Sequence, residues 1–206
     1  DRESADLGNR IKNGNVEISA LINIGFDDLN LGAPERALPL FEETLVRAEK
    51  AFGAHRWRWS LHLRFALATA LLVLGRDGEA LAQVERGLLQ AEFTGSRKYV
   101  GWFHLLRGEV ALRAGQAGAA STALGQALEM AQAIGYPTLT WKAAHLLAQA
   151  HAARGQGAEA FAAAELAAAT IDRIATAAPE AELRRTFLAW HPVAKALEDA
   201  ERLRRL

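Results

Sequence analysis

The chain has 206 residues, half of them hydrophobic, with 24 basic and 24 acidic side chains and no cysteine. That length suits one domain or one short repeat array. A formal charge of zero offers no global attraction to a nucleic-acid backbone or an anionic membrane, and without cysteine there is no disulfide framework, thiolate zinc site or thiol chemistry.

No apolar run approaches the roughly 20 residues that span a bilayer. No secretory signal pattern opens the chain, so a cytoplasmic location is the default expectation. The chain begins at Asp1 rather than Met, which points to excision from something longer.

Residues 1–14 are polar, with Leu7 and Ile11 on one helical face, and read as the tail of a preceding repeat helix. Asn13 and Gly14 break that pattern as a helix end does. From Val16 to Leu31 apolar residues return at helical spacing, at Ile18, Leu21, Ile22, Ile24 and Leu29. Gly32 ends this helix, and Pro34 opens the next near its first position, where a missing N–H costs little. That second helix runs to about Ala51. Pro39 inside it predicts a mild bend or a frayed first turn, with the ring facing solvent. Phe52 and Gly53 end it.

The unit then recurs. Helices are expected over about 56–74 and 77–93, 97–114 and 117–134, and 138–154 and 157–176. Gly75, Gly115 and Gly155 mark the turns within the pairs and Gly95 and Gly135 the turns between them. The turn glycines Gly32, Gly75, Gly115 and Gly155 are 43, 40 and 40 residues apart. Long helices joined by loops this short lie antiparallel to their neighbours, and no period-two segment predicts a sheet. After Ala177 the pattern changes. Pro179 opens a helix to about Trp190 with Leu183, Phe187 and Leu188 on one face. Pro192 opens a last one, with Val193, Leu197, Ala200 and Leu203 opposite its charges. Residues 177–206 therefore read as capping helices.

Placing each pair's internal glycine at position 15 of a 34-residue template aligns small residues at positions 8, 20 and 27. They are Gly25, Ala37 and Thr44, then Ala68, Ala80 and Gly87. Gly108, Ala120 and Ala127 follow, then Ala148, Ala160 and Ala167. Position 24 holds Phe41, Val84, Leu124 and Ala164. This pattern resembles the tetratricopeptide repeat (TPR) over residues 15–176, as four helix pairs. The resemblance implies that the helices of a pair close at the small positions while larger side chains fill the groove between units. The period near 40, and Asp28, Leu71, Ala111 and His151 where the template usually carries an aromatic residue, depart from it. Longer repeats of this kind resemble the kinesin-light-chain type and the repeats of bacterial signalling ATPases, cyclase-linked ATPases and LuxR-type regulators. HEAT or armadillo repeats share the period but fit the glycine turns less well.

The implied fold is all-α: a right-handed superhelical solenoid of antiparallel helix pairs. In such arrays the first helix of each pair lines the concave face. The resemblance carries the peptide or ligand groove to Ile22, Asn23, Phe26 and Asn30, to His62, Phe65 and Thr69, to Trp102, Leu105 and Glu109, and to Lys142, His145 and Gln149. Aromatic anchors with scattered polar groups suit a peptide partner. The competing reading is that these side chains are buried against neighbouring units or the cap. Asn23 matches the asparagine of carboxylate-clamp TPRs, but the clamp's lysines and arginines are missing, so capture of a free C-terminus is rejected.

His55-Arg56-Trp57-Arg58-Trp59 and the turn after it interleave bases and aromatics. That pattern reads as a nucleic-acid or anion patch, or as helix turns packed on the loop after Phe52. Three arginines are too few for a phosphate track, so no nucleic-acid partner is expected. His145 and His151, and His104 and Glu109, lack the spacing for shared metal ligation. Asp27-Asp28 and Glu42-Glu43 point to different faces. No phosphate loop, nucleotide fingerprint or nucleophile elbow occurs. The C-terminal arginines, Arg184, Arg185, Arg202, Arg204 and Arg205, read as a solvated face. The expectation is a non-catalytic protein- or peptide-binding scaffold without metal or cofactor, belonging to a larger regulatory protein and with no membrane partner. The uncovered Leu7 and Ile11 face suggests end-to-end self-association. The alternative is a small-ligand or autoinducer sensor, with the ligand in the concave face.

Overall fold

The computed structural model describes residues 3, 4, 6, 8, 14–50 and 56–205, Arg56 by its backbone alone. Leu7, Ile11, Asn13, Phe52, Gly53 and His55 lie outside them, and with them the readings that rest on those positions. The helices are α1 (Gly14–Asn30), α2 (Pro34–Lys50), α3 (Arg56–Val73), α4 (Asp77–Phe93), α5 (Arg97–Arg113), α6 (Ala117–Ala133), α7 (Pro137–Ala153), α8 (Gly157–Ala177), α9 (Ala181–Ala189) and α10 (His191–Arg204). Among the described residues there is no strand, and no helix is long and apolar enough to cross a membrane.

The turns obey the glycine logic. Gly32, Gly75, Gly95, Gly115, Gly135 and Gly155 all have φ between 64° and 75°, a region where a Cβ costs about 1–2 kcal/mol. After α1 the Gly32 N–H donates to Leu29 O at 3.1 Å and the Ala33 N–H to Asp28 O at 2.8 Å. This pair of bonds is the Schellman arrangement, which satisfies carbonyls that the helix end leaves open. Arg76 closes the same ring at the α3–α4 turn, donating to Leu71 O. Its own carbonyl then accepts from Ala80 N–H, so α4 starts without a side-chain cap. Pro39 lies inside α2 with its ring exposed.

The chain forms two compact units, residues 1–106 and 107–206. In the first, α2 packs on α1 and α3, and α4 on α3. Gly25 on α1 is bare where Phe41 of α2 lies against it; a Cβ there would come 2.2 Å from the ring. Gly87 on α4 meets Phe103 of α5 in the same way, also at 2.2 Å. Ala37, Ala68 and Ala80 are fully buried, and Thr44, also buried, donates its hydroxyl to Leu40 O at 2.6 Å.

In the second unit α7 packs against α6 and α8, and α10 packs on α8. Gly108 meets Leu124, with a would-be Cβ 2.4 Å from Leu124 Cγ. Ala120, Ala127, Ala160 and Ala167 are fully buried. The large residues thus do something other than the sequence suggested. Phe41 and Leu124 fill the space inside their own pair, while the joint from α4 to α5 is filled by Phe103. A cluster of Trp141, Ile171, Val193 and Ala196, with Phe187 and Leu188 against it, holds the C-terminal helices. Leu183, expected on that face, is 52% exposed instead.

Candidate functional site

In the first unit the face formed by α1, α3 and α5 carries a row of rings. They come from successive first helices, each ring meeting one that stands three to seven template positions earlier on the next helix. Phe26 lies 5.5 Å from His62 and 6.3 Å from Phe65, measured between ring centroids. Phe65 lies 5.1 Å from Trp102, and His62 lies 6.2 Å from Tyr99. These separations are those of interacting aromatic pairs, worth about 0.5–1.5 kcal/mol beyond their buried area. Phe26 also packs on Phe41, the ring that fills Gly25, at 5.5 Å. The row is therefore anchored to the packing that sets the helix pair.

Of the side chains expected in the groove here, Ile22 (1% exposed), Trp102 (8%) and Leu105 (4%) are interior. Phe26, His62, Phe65 and Thr69 are half-buried, and Asn23 and Asn30 exposed. The Thr69 hydroxyl donates to Phe65 O at 2.9 Å. His62 has its pKa pushed down to about 4, first by burial and second by the charge on Lys98. Its ring is thus neutral near pH 7, which suits its place between Phe26 and Tyr99.

In the second unit the expected groove residues meet the C-terminal helices. Lys142 Nζ lies 5.4 Å from the Trp141 ring centre and 5.1 Å from that of Trp190, a cation–π arrangement. Burial lowers the Lys142 pKa, and Glu109 opposes that. His145 Nε2 is 3.9 Å from Asp199 Oδ2 on α10 and 3.0 Å from Gln149 Nε2. Burial lowers the His145 pKa; Asp199 raises it and Lys195 lowers it. Asp199, itself 7% exposed, takes Lys195 at 3.1 Å and Arg202 at 3.0 Å. Gln149 is exposed and Glu109 half-buried. The two units thus treat the same template positions differently: rings stack on rings in one, and in the other Trp190, between α9 and α10, meets Lys142 and Asp199 of α10 meets His145.

The basic and acidic side chains singled out in the sequence mostly pair within the chain. Arg64 binds Glu49 at 2.7 Å and Gln83 at 3.1 Å. Trp59 Nε1 donates to Asn15 Oδ1 at 3.1 Å. Asp28, where the template has an aromatic residue, is buried and ion-paired with Arg36 at 3.1 Å. His151 meets Gln156 at 3.0 Å. Arg204 forks onto Glu165 and Glu201 at 2.7 Å each, and Arg184 donates to Ala175 O. The solvated arginine face is in part a set of intrachain clamps, which a sequence without contacts does not display. No group of three or more His, Cys, Asp or Glu among the described residues is placed to hold a metal ion.

The comparisons with known proteins follow this geometry. A family model for the tetratricopeptide repeat matches residues 18–56. No curated protein matches the chain. Among solved structures, a kinesin-light-chain protein of Podosopora anserina with nearly identical TPR-like repeats is 20% identical, with a TM-score of 0.63 and 91% of each chain covered. BtubC (BKLC) from P. vanneervenii is 16% identical, with a TM-score of 0.67 and coverage of 99% of this chain and 88% of that one. A MamA variant, from RS-1, is 19% identical with a TM-score of 0.53, covering 91% and 94%. Residues 18–56 thus match the tetratricopeptide-repeat model, and the chain has the fold of kinesin-light-chain-like TPR repeats.

Proposed function

We propose that the chain is a non-catalytic binding module that docks a protein or peptide on the ring-bearing face of its first unit. The carrying observation is the row Phe26, His62, Phe65 and Trp102 at 5.1–6.3 Å spacing. The first three are half-exposed and held in place by buried packing. Rigid rings give contact area at small entropic cost, and the flanking Asn23 and Asn30 supply polar groups that fix register. TPR repeats are a fold that generally mediates protein interactions. Within that frame the module serves a larger cytoplasmic regulatory or signalling protein.

The test is selection of linear peptides from a displayed random library on the wild-type chain, followed by affinity measurement on Phe65→Ala and Asn30→Ala. Docking on this face predicts that Phe65→Ala weakens the selected peptides about tenfold or more, the loss of one hot-spot ring. Peptides that bind wild type and both variants alike would place the docking surface elsewhere.

A further inference from the structure

The outward side of α4 carries Leu89, 71% exposed, and Phe93, 90% exposed, one helical turn apart. Both belong to the first unit. They stand at positions 29 and 33 of the 34-residue template. The same positions hold Val46 and Lys50 on α2, Glu129 and Ala133 on α6, and Ala169 and Arg173 on α8. Of these four helices only α4 pairs two large apolar residues there, so the repeat itself does not need them. Packing within the chain does not need them either. The side that α4 buries is Ala80, Val84, Gly87, Leu88 and Ala91. Adjacent exposed apolar side chains mark an interaction surface where scattered ones do not. Arg86 and Glu92 flank the pair, both exposed. Neither has an ion-pair partner among the described residues.

We propose that this face of α4 docks on the same face of a second copy of the chain, as a closed two-fold dimer. Charge complementarity selects that occupant. At helical spacing, Arg86 and Glu92 lie about one turn either side of Leu89 and on opposite flanks of it. Consider a two-fold axis that lies in the face, passes through Leu89 and runs across the line from Arg86 to Glu92. It lays Arg86 of each copy on Glu92 of the other. Leu89 then meets its own counterpart, and so does Phe93, which stands near the axis. Two rings and two aliphatic side chains leave water together, and both ion pairs form at the rim. A partner surface of one sign would satisfy one of the two charges and repel the other. Glu85, the other charge beside Leu89, already interacts within its own chain. Such a contact uses one surface twice and stops at two copies. It takes no residue from the ring row.

The test is sedimentation velocity of the full chain over a range of concentrations. Wild type should show a reversible monomer–dimer equilibrium and nothing larger. Leu89→Arg, at an exposed position, should fold as wild type does by circular dichroism and stay monomeric. Arg86→Glu and Glu92→Arg should each weaken dimerisation about tenfold or more, because each sets like charges against one another twice. Mixed one to one, those two variants should associate with each other about as tightly as wild type does with itself, since every facing pair is again of opposite sign. Phe65→Ala, in the ring row, should dimerise as wild type does, so peptide docking and this contact fail independently. A monomer at every concentration, open-ended oligomers, dimers of Leu89→Arg, or a mixture no tighter than either charge variant alone would each overturn the proposal.

Discussion

Phe41 lies against the bare Cα of Gly25 so closely that a Cβ there would come within 2.2 Å of the ring. The same two positions of the other pairs trade volume: Ala68 with Val84, Gly108 with Leu124, and Ala148 with Ala164. Where the first is Gly the second is Phe or Leu; where the first is Ala the second is Val or Ala. Gly25→Ala gains about 1 kcal/mol of helix propensity, but overpacking against Phe41 costs about 1–3 kcal/mol. The overpacking wins, and the variant is less stable in chemical denaturation. Gly78→Ala is the control, since nothing lies within 4 Å of its would-be Cβ; it should be neutral or up to about 1 kcal/mol more stable. Adding Phe41→Val to Gly25→Ala should recover part of the loss, a positive coupling in a double-mutant cycle. Equal effects at Gly25 and Gly78 would mean that the pair does not close as described.

Much of this was legible in the sequence. Six turn glycines and a row of small residues at fixed offsets are constraints of backbone geometry and close approach, and those act locally. They fix helix limits to within a residue or two: about 77–93 was read and Asp77–Phe93 is found. The use of each side chain was harder to read. Phe103 sits at no template position of note, yet it fills Gly87, because that contact joins one pair to the next. Ile22 and Asn23 are adjacent and both were placed in the groove, but one is interior and the other exposed. Periodicity gives a face, while burial depends on what packs over that face. His145 and Lys142 show this best. Their neighbours Asp199 and Trp190 lie some 50 residues away in sequence, and no local pattern announces them.

Gly75 tests backbone strain alone. Its φ is +71° and its would-be Cβ meets nothing within 4 Å. Gly75→Val should therefore cost the left-handed penalty of about 1–2 kcal/mol without a packing term. Gly75→Asn should cost less, because Asn tolerates that region. Thermal unfolding of the two variants gives the ranking; a Val variant as stable as wild type would contradict the turn geometry.

His62 makes stability depend on pH in a stated direction. Its folded pKa is lowered from 6.5 to about 4, so the unfolded chain binds the proton more readily. The contribution is complete above about pH 6.5 and is lost as pH falls from there toward 4, where it levels off. The size is at most about 3 kcal/mol, from 1.36 kcal/mol per unit, and less where water reaches the ring. His62→Phe keeps a ring in the row and removes the titration. Urea denaturation at pH 7 and pH 4.5 should show a smaller acid loss in the variant than in wild type. Equal losses would mean that the imidazole protonates in place.

The last helix offers a contest between an ion cluster and a core contact. Asp199 holds Lys195 and Arg202, but those partners are 48% and 67% exposed in their side chains. Water and salt therefore screen each pair to about 0–1 kcal/mol. Val193, fully buried against Trp141 and Ile171, loses two methyl groups and leaves a cavity when cut to Ala, roughly 1–3 kcal/mol. Val193→Ala should accordingly speed amide exchange along α10 far more than Arg202→Ala does. Asp199→Ala falls between them, because it releases two cations and the contact with His145 at once. Raising the salt concentration should shrink the Asp199→Ala effect and leave that of Val193→Ala unchanged. If Arg202→Ala frees α10 as much as Val193→Ala does, the ion cluster rather than the apolar contact holds the helix down.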